Sequence, residues 1–254
     1  MVAEVDTRAC AAFNDAHMSD DGTYEIMEEG EVPLPGVGGK GRIFENMFDV
    51  IDAMARDVSM SAHGAVKVRG CFRLVLSATP FTTHLIRSML IDPAFRGFPW
   101  SVTDLWFTDV PCGETSVCID DIEGMLIEHG GMSTQSFHRF DASDPVIIDE
   151  IERRYRLRVL EGGVRRGADC AVIGLDGAWV KSASVAAPDS RVYQTCLQTG
   201  AQVLHESQIQ ACASIVAAGT MTQVESLKTL TARIAANHHG LSWYLSRAQA
   251  EESH

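Results

Sequence analysis

The stretch FRLVLSATPFTTHLIRSMLI (residues 72–91) decides the fold. FRLVLS is a short, nearly continuous apolar run, the pattern of a strand buried on both faces of a parallel sheet. Thr79-Pro80 stops it. TTHLIRSMLI then sets Leu85, Ile86, Met89 and Leu90 on one helical face. The same rhythm recurs along the chain. DLWFTDV (104–110) reads as a strand, and IDDIEGMLIEHGG as a helix closed by Gly130-Gly131. FHRF (137–140) reads as a short strand and VIIDEIERRYRLRVL as a helix. CAVIGL (170–175) is a strand with a Gly-containing turn after it. ASIVAAG (213–219) is a strand, and TQVESLKTLTARIAA a helix. Alternating strands and helices predict an α/β fold: a doubly wound, mainly parallel sheet with helices on both faces.

Upstream, residues 1–41 read as an N-terminal arm and a loop, VPLPGVGGKG (32–41) being a loop on composition. RIFENMFDVIDAMARDVSM follows. Ile43, Met47, Val50, Ile51 and Met54 stand at helical spacing in it, so it reads as an amphipathic helix opening a single domain over 42–254. At 254 residues, 46% of them hydrophobic, the chain can bury a large core without staples.

The formal net charge is -13. Such a surface repels phosphate backbones and anionic lipid, so nucleic acid and membranes are excluded as partners. No run approaches the roughly 18 apolar residues of a membrane span. The first residues lack the basic and apolar regions of a signal peptide. The seven cysteines are odd in number and show no C-x-x-C spacing. These features predict a cytoplasmic protein with reduced thiols. No histidine pair has metal-ligand spacing, so neither a metal nor another cofactor is expected.

Ligands of doubly wound sheets sit beyond the carboxyl ends of the strands. Three such ends carry chemistry. Ser77, Thr79, Thr82 and Thr83 form a hydroxyl-rich turn feeding a helix N-terminus. They can hold a phosphate, or simply cap the helix. Asp109 follows a buried strand and can act as a base, or as a turn residue bonding its own backbone. Asp176-Gly177 marks a turn, with Lys181 beyond it on a loop that is otherwise simply solvated. His84 lies one turn into the helix after Pro80, as a second candidate base or a structural histidine. Arg153, Arg154, Arg156, Arg158, Arg165 and Arg166 form the one basic cluster, which reads as a solvated face.

The order of these pieces resembles the 6-phosphogluconolactonase family and, more distantly, glucosamine-6-phosphate isomerase. The likeness runs from about Arg42 to Ala250. SATP stands where the family has S-G-G-S-T-P. TDVP stands for its D-E-R strand end, His138-Arg139-Phe140 for H-R-[IF], GLDGAWVKSAS for G-M-G-E-D-G-H-T-A-S, and GLSWYLSRAQ for G-L-T-W-F-L-D-x-A-A. The resemblance implies a pocket for a sugar 6-phosphate and hydrolysis of its lactone, a pentose phosphate pathway reaction. Asp109 or His84 would be the catalytic base. Ser77, Thr79, Thr82, Arg139, Asp176, Gly177 and Lys181 would hold the substrate and its phosphate. The departures fall on the chemistry. Two glycines of the phosphate loop are absent, and Val110 and Pro111 replace an acid and an arginine. Ala178, Val180 or Lys181 stands for the D-G-H histidine, and Thr222 or Gln223 for a lysine. The alternative is therefore a non-catalytic homologue that binds a sugar phosphate or a protein partner. A further alternative is a different hydrolase or isomerase on the same scaffold.

Overall fold

The computed structural model describes residues 32–110, 117–139, 150, 153–160, 167–177, 180, 193–195, 202–234 and 240–247. Six strands form one sheet: β1 (Lys40–Phe44), β2 (Phe72–Leu76), β3 (Thr103–Phe107), β5 (Cys170–Gly174), β8 (Ser214–Thr220) and β9 (Leu241–Ser246). Their spatial order is β1-β9-β8-β5-β2-β3, and every neighbouring pair is parallel. The doubly wound parallel reading is borne out. Every residue of β2 and β5 is buried, so both faces of the sheet centre are covered, as a parallel sheet requires. A separate antiparallel sheet holds β4 (Asp109–Val110), β7 (Gln202–Leu204) and β6 (Tyr193–Thr195) in the order β4-β7-β6.

Helix α1 (Met47–Arg69) starts where Asn46 caps it, its side chain accepting from the Asp49 N–H at 3.0 Å. It ends at Gly70, whose φ of 75° is left-handed and whose N–H returns to the Val66 carbonyl. Its apolar face carries Val50, Ile51, Met54 and Val58 into the core. Helix α2 (Pro80–Ile91) opens on Pro80 and a capping box between Thr79 and Thr82. Helices α3 (Val117–Glu128), α4 (Glu206–Gln210) and α5 (Val224–Arg233) follow, and the helix expected to end at Leu160 closes in a π-helical stretch over Arg156–Leu160.

Four boundaries differ from the sequence expectation. The loop over 32–41 ends at Gly39, because Lys40 and Gly41 begin β1. The helix expected from Arg42 begins at Met47, and Ile43 is in the strand. The strand expected over 104–110 breaks at Thr108, after which Asp109 joins the other sheet. FHRF is no strand in its described part: only Phe137 bridges to Leu105.

At the amino edge of the sheet, the buried Asp169 carboxylate ties several elements together. It accepts the Arg73 N–H of β2 at 2.9 Å and pairs with Arg69 at the end of α1. Its backbone carbonyl accepts the Ser214 N–H of β8 at 3.1 Å. At the sheet's β1 edge, Gly41 stands opposite Trp243 of β9. A Cβ on Gly41 would lie 1.8 Å from the indole ring, so the ring occupies the space of a side chain.

Gly41→Ala should therefore destabilise the protein by about 1–3 kcal/mol through overpacking. That is a fall in Tm of several degrees. Gly64, exposed in the interior of α1 with nothing near its Cβ position, gives the opposite sign. Gly64→Ala should stabilise by about 0.5–1 kcal/mol. Thermal melts of the two variants check both signs.

Candidate functional site

The chain leaves β2 through α2 to β3 on one side, whereas β5, β8 and β9 extend the sheet on the other. The carboxyl ends of β2 and β5 therefore flank the point where the strand order reverses, the usual ligand crevice of such a sheet. Ser77 and Thr79 come from the first end, and Gly174, Asp176 and Gly177 from the second. Ser77 Oγ accepts the Gly174 N–H at 2.7 Å. With β2 ended at Leu76, this hydroxyl supplies the acceptor that a further strand residue would have offered. Gly174 is required here: a Cβ would lie 2.6 Å from Thr79 Oγ1 and 2.8 Å from Asp176 Oδ1. The turn is closed by the Gly177 N–H on the Gly174 carbonyl at 3.0 Å. The structure thus brings Ser77, Thr79, Asp176 and Gly177 together.

Most N–H groups of the turn are engaged within the chain. The Ser77 N–H donates to the Val172 carbonyl at 2.9 Å. The Ala78 N–H donates to Asp109 Oδ1 at 3.3 Å, and Thr108 Oγ1 donates to the same oxygen at 2.5 Å. The Thr79 N–H meets Thr82 Oγ1 at 3.2 Å, and Thr79 Oγ1 accepts the Thr82 N–H at 3.4 Å. Thr82 Oγ1 donates to the Ser77 carbonyl at 2.6 Å. The Thr83 N–H donates to the Thr79 carbonyl at 3.1 Å. Capping, the plainer of the two sequence readings, accounts for these hydroxyls. Asp109 is buried, and its carboxylate lies against this turn through the Ala78 N–H.

Cys118, in the first turn of α3, was not singled out by the sequence. It hydrogen-bonds Thr83. Burial pushes its thiol pKa up, and the carboxylates of Asp121, Asp176 and Asp109 add to that rise. Those three acids make the surroundings of the turn electronegative. Arg139 is engaged by two carboxylates of α3, Asp120 at 2.6 Å and Glu123 at 2.8 Å. The hydrogen bond to Glu123 leads the upward shift of its pKa. His84 lies on the exposed face of α2. Lys181, Arg165 and Arg166 lie outside the described residues. At the end of β8, Gln223 Oε1 accepts the Thr220 N–H at 2.8 Å. Among the described residues no three His, Cys, Asp or Glu side chains converge as a metal ligand set.

His138 is buried and stacks on Trp106, the ring centroids 4.1 Å apart. Its Nε2 lies 3.4 Å from Asp104 Oδ1, and Asp104 pairs with Arg158. Burial pulls the imidazole pKa below its usual value, with Asp104 offsetting part of that pull. Burial raises Asp104, but its bond to His138 and the Arg158 charge outweigh this and hold the carboxyl below the ordinary range.

The sequence matches no protein-family model and no curated protein. Solved structures do match. The 6-phosphogluconolactonase from Plasmodium vivax superposes with a TM-score of 0.65 at 10% identity, over 85% of this chain and 92% of its own. The 6-phosphogluconolactonase from Shewanella baltica gives 0.57 at 15%, over 81% and 97%. A monomeric glucosamine-6-phosphate deaminase, of the NagB superfamily, gives 0.60 at 12%, over 82% and 97%. The chain is an α/β protein built on a six-stranded parallel sheet. More narrowly, it has the 6-phosphogluconolactonase fold that the motifs suggested, and at these identities the likeness is one of fold.

Two measurements follow. Ser77→Ala leaves the buried Gly174 N–H without its acceptor and should cost about 1–3 kcal/mol, read from urea denaturation. For His138, folding favours the neutral ring. Its contribution is therefore whole above the unfolded pKa of about 6.5 and is lost as pH falls below it. Stability should drop between pH 7.5 and 5.5, and drop less in His138→Gln. Parallel profiles for the two proteins would contradict this.

Proposed function

We propose that this chain is a non-hydrolytic relative of the sugar-phosphate lactonases, a binding protein on their scaffold. The observation that carries the reading is the Asp109 carboxylate on the Ala78 N–H. Where the family resemblance expects the turn to face a phosphate, the turn meets an anion of its own. A phosphate approaching it encounters like charge from Asp109, Asp176 and Asp121. Lactone hydrolysis also needs a group to take the proton of the attacking water, and Ala178, Val180 or Lys181 stands at the position of the family's D-G-H histidine. Asp109 spends its Oδ1 on Thr108 and Ala78.

The second reading is a working 6-phosphogluconolactonase of carbohydrate metabolism. It would use Asp109 or His84 as base and Ser77, Thr79, Thr82, Arg139, Asp176, Gly177 and Lys181 for the sugar phosphate. Fold likeness over four-fifths of the chain favours it. A direct assay on freshly prepared 6-phosphogluconolactone separates the two. Loss of a positioned acid–base group costs about 10²–10⁴ in rate, so turnover should fall well below the ordinary roughly 1–10³ per second. Turnover inside that range, abolished by Asp109→Asn, would overturn the non-hydrolytic reading.

A further inference from the structure

We infer that the acidic segment of residues 1–31 docks on the outer face of α1 and α2, where exposed cations and exposed apolar side chains meet. The sequence over 58–91 holds no Asp or Glu, in a chain that has 34 of them. That run supplies the second half of α1, strand β2 and the whole of α2. The crossovers from β1 to β2 and from β2 to β3 move in the same direction across the sheet, so right-handed connections put α1 and α2 on one side of it. The two helices pack against each other, and their outer surfaces are continuous.

Along α1, Met60, Gly64 and Val68 recur every four residues, with His63 and Lys67 beside them, and all five are exposed. Helix α2 exposes His84, Arg87 and Ile91 in the same way. Met60, Val68 and Ile91 are 66%, 78% and 72% exposed. Lys67, Arg87 and, in the link from α2 to β3, Arg96 are exposed as well, and among the described residues no carboxylate holds any of the three. The acids that border the run are engaged, Asp57 by the Tyr244 hydroxyl and Asp92 by the Ala94 N–H at 2.8 Å. Elsewhere on the surface cations are paired: Arg56 with Asp52, Arg139 with Asp120 and Glu123, Lys228 with Glu225, and Arg247 with Glu45. Lys67 suits the carboxyl end of its helix dipole, but Arg87 and Arg96 have no such reason to stand alone. Apolar side chains exposed singly are ordinary, whereas apolar and cationic ones gathered on one acid-free layer mark a surface that is covered.

Such a face fits a segment that carries carboxylates between apolar side chains. Residues 1–31, which lie outside the described residues, have that composition, with nine Asp and Glu against the single Arg8. TYEIMEEGE (23–31) sets Tyr24, Ile26 and Met27 among four glutamates. The described chain begins at Val32, whose N–H donates to the Gly41 carbonyl at 2.8 Å, at the start of β1. Helices α1 and α2 run back against their strands, so Lys67, Val68 and Ile91 lie at this same end of the sheet. From β1 to β2 there are four strand spacings, about 19 Å, while a segment of this length reaches up to about 100 Å when extended. Tethering also raises the effective concentration to roughly the millimolar range, so modest contacts suffice. The inference does not rest on the non-hydrolytic reading, which concerns the carboxyl edge.

Zero-length carbodiimide coupling of the full chain at low salt, followed by digestion and mass spectrometry, tests it. Lys67 should couple to a carboxylate of residues 1–31 within a single chain. The yield should fall several-fold at about 0.5 M salt, where the screening length is roughly 4 Å. It should also fall several-fold in the double variant Val68→Ser, Ile91→Ser, with the Tm unchanged because both side chains are exposed. Limited digestion with a glutamate-specific protease gives a second readout that does not use Lys67: cleavage after Glu28 or Glu29 should speed up several-fold in Arg87→Glu. No Lys67 product overturns the inference, as does a product found only in coupled dimers, which puts the segment on a second copy. A yield indifferent to salt or to the apolar substitutions overturns it as well, and so do equal cleavage rates in the Arg87→Glu and unaltered proteins.

Discussion

Strands β2 and β5 are buried at every residue, with β8 nearly so, and this burial constrains everything outside them. A backbone N–H sealed from water must find an acceptor. Where the ladder runs out at a strand end, a side chain has to supply it. Asp169 does so at the amino edge for the Arg73 N–H, and Ser77 does so at the carboxyl edge for the Gly174 N–H. Polar residues are thus fixed at both ends of the sheet by the hydrogen-bond requirements of its centre. Any chemistry the molecule performs is built around those fixed points.

The same constraint explains what could be read from the chain. FRLVLS, CAVIGL and ASIVAAG are continuous apolar runs because both of their faces are covered, and their order alone implies a parallel sheet. Strand β1 escapes that logic. Its sequence, KGRIF, is half polar because it lies at an edge of the sheet. Its glycine answers to Trp243, some 200 residues away. Ile43 also stands four residues before Met47, so a strand residue counterfeits a helical period. The local signal for the true helix start was present, in Asn46 three residues before Asp49. Asp109 leaves its strand for the small sheet because β7 pairs with it, and β7 is too short to show a pattern.

At the carboxyl edge the residue types were legible and their partners were not. Ser77, Thr79, Asp176 and Gly177 are brought together as the strand ends imply. That Asp109 reaches the Ala78 N–H depends on the pairing of β3 with β2 and on the break at Thr108. Neither has a local signature. Arg139 shows the same limit: its charge is evident in the sequence, while its two carboxylate partners come from α3. Cys118 had no signal at all, since only the packing of α3 beside Thr83 places it near the acids.

An anion-binding turn without its ligand is a costly thing to keep, because its N–H groups and helix dipole remain poorly satisfied. Asp109 removes that cost by answering the Ala78 N–H from inside the chain, with Thr108 holding the carboxylate in place. The capping box of Thr79 and Thr82 does the same for the helix start. The turn therefore keeps its shape through bonds within the chain. Ala78 and Pro80 are compatible with a closed turn of this kind. The features at this edge form one consistent set, in which bonds within the chain satisfy the polar groups of the turn.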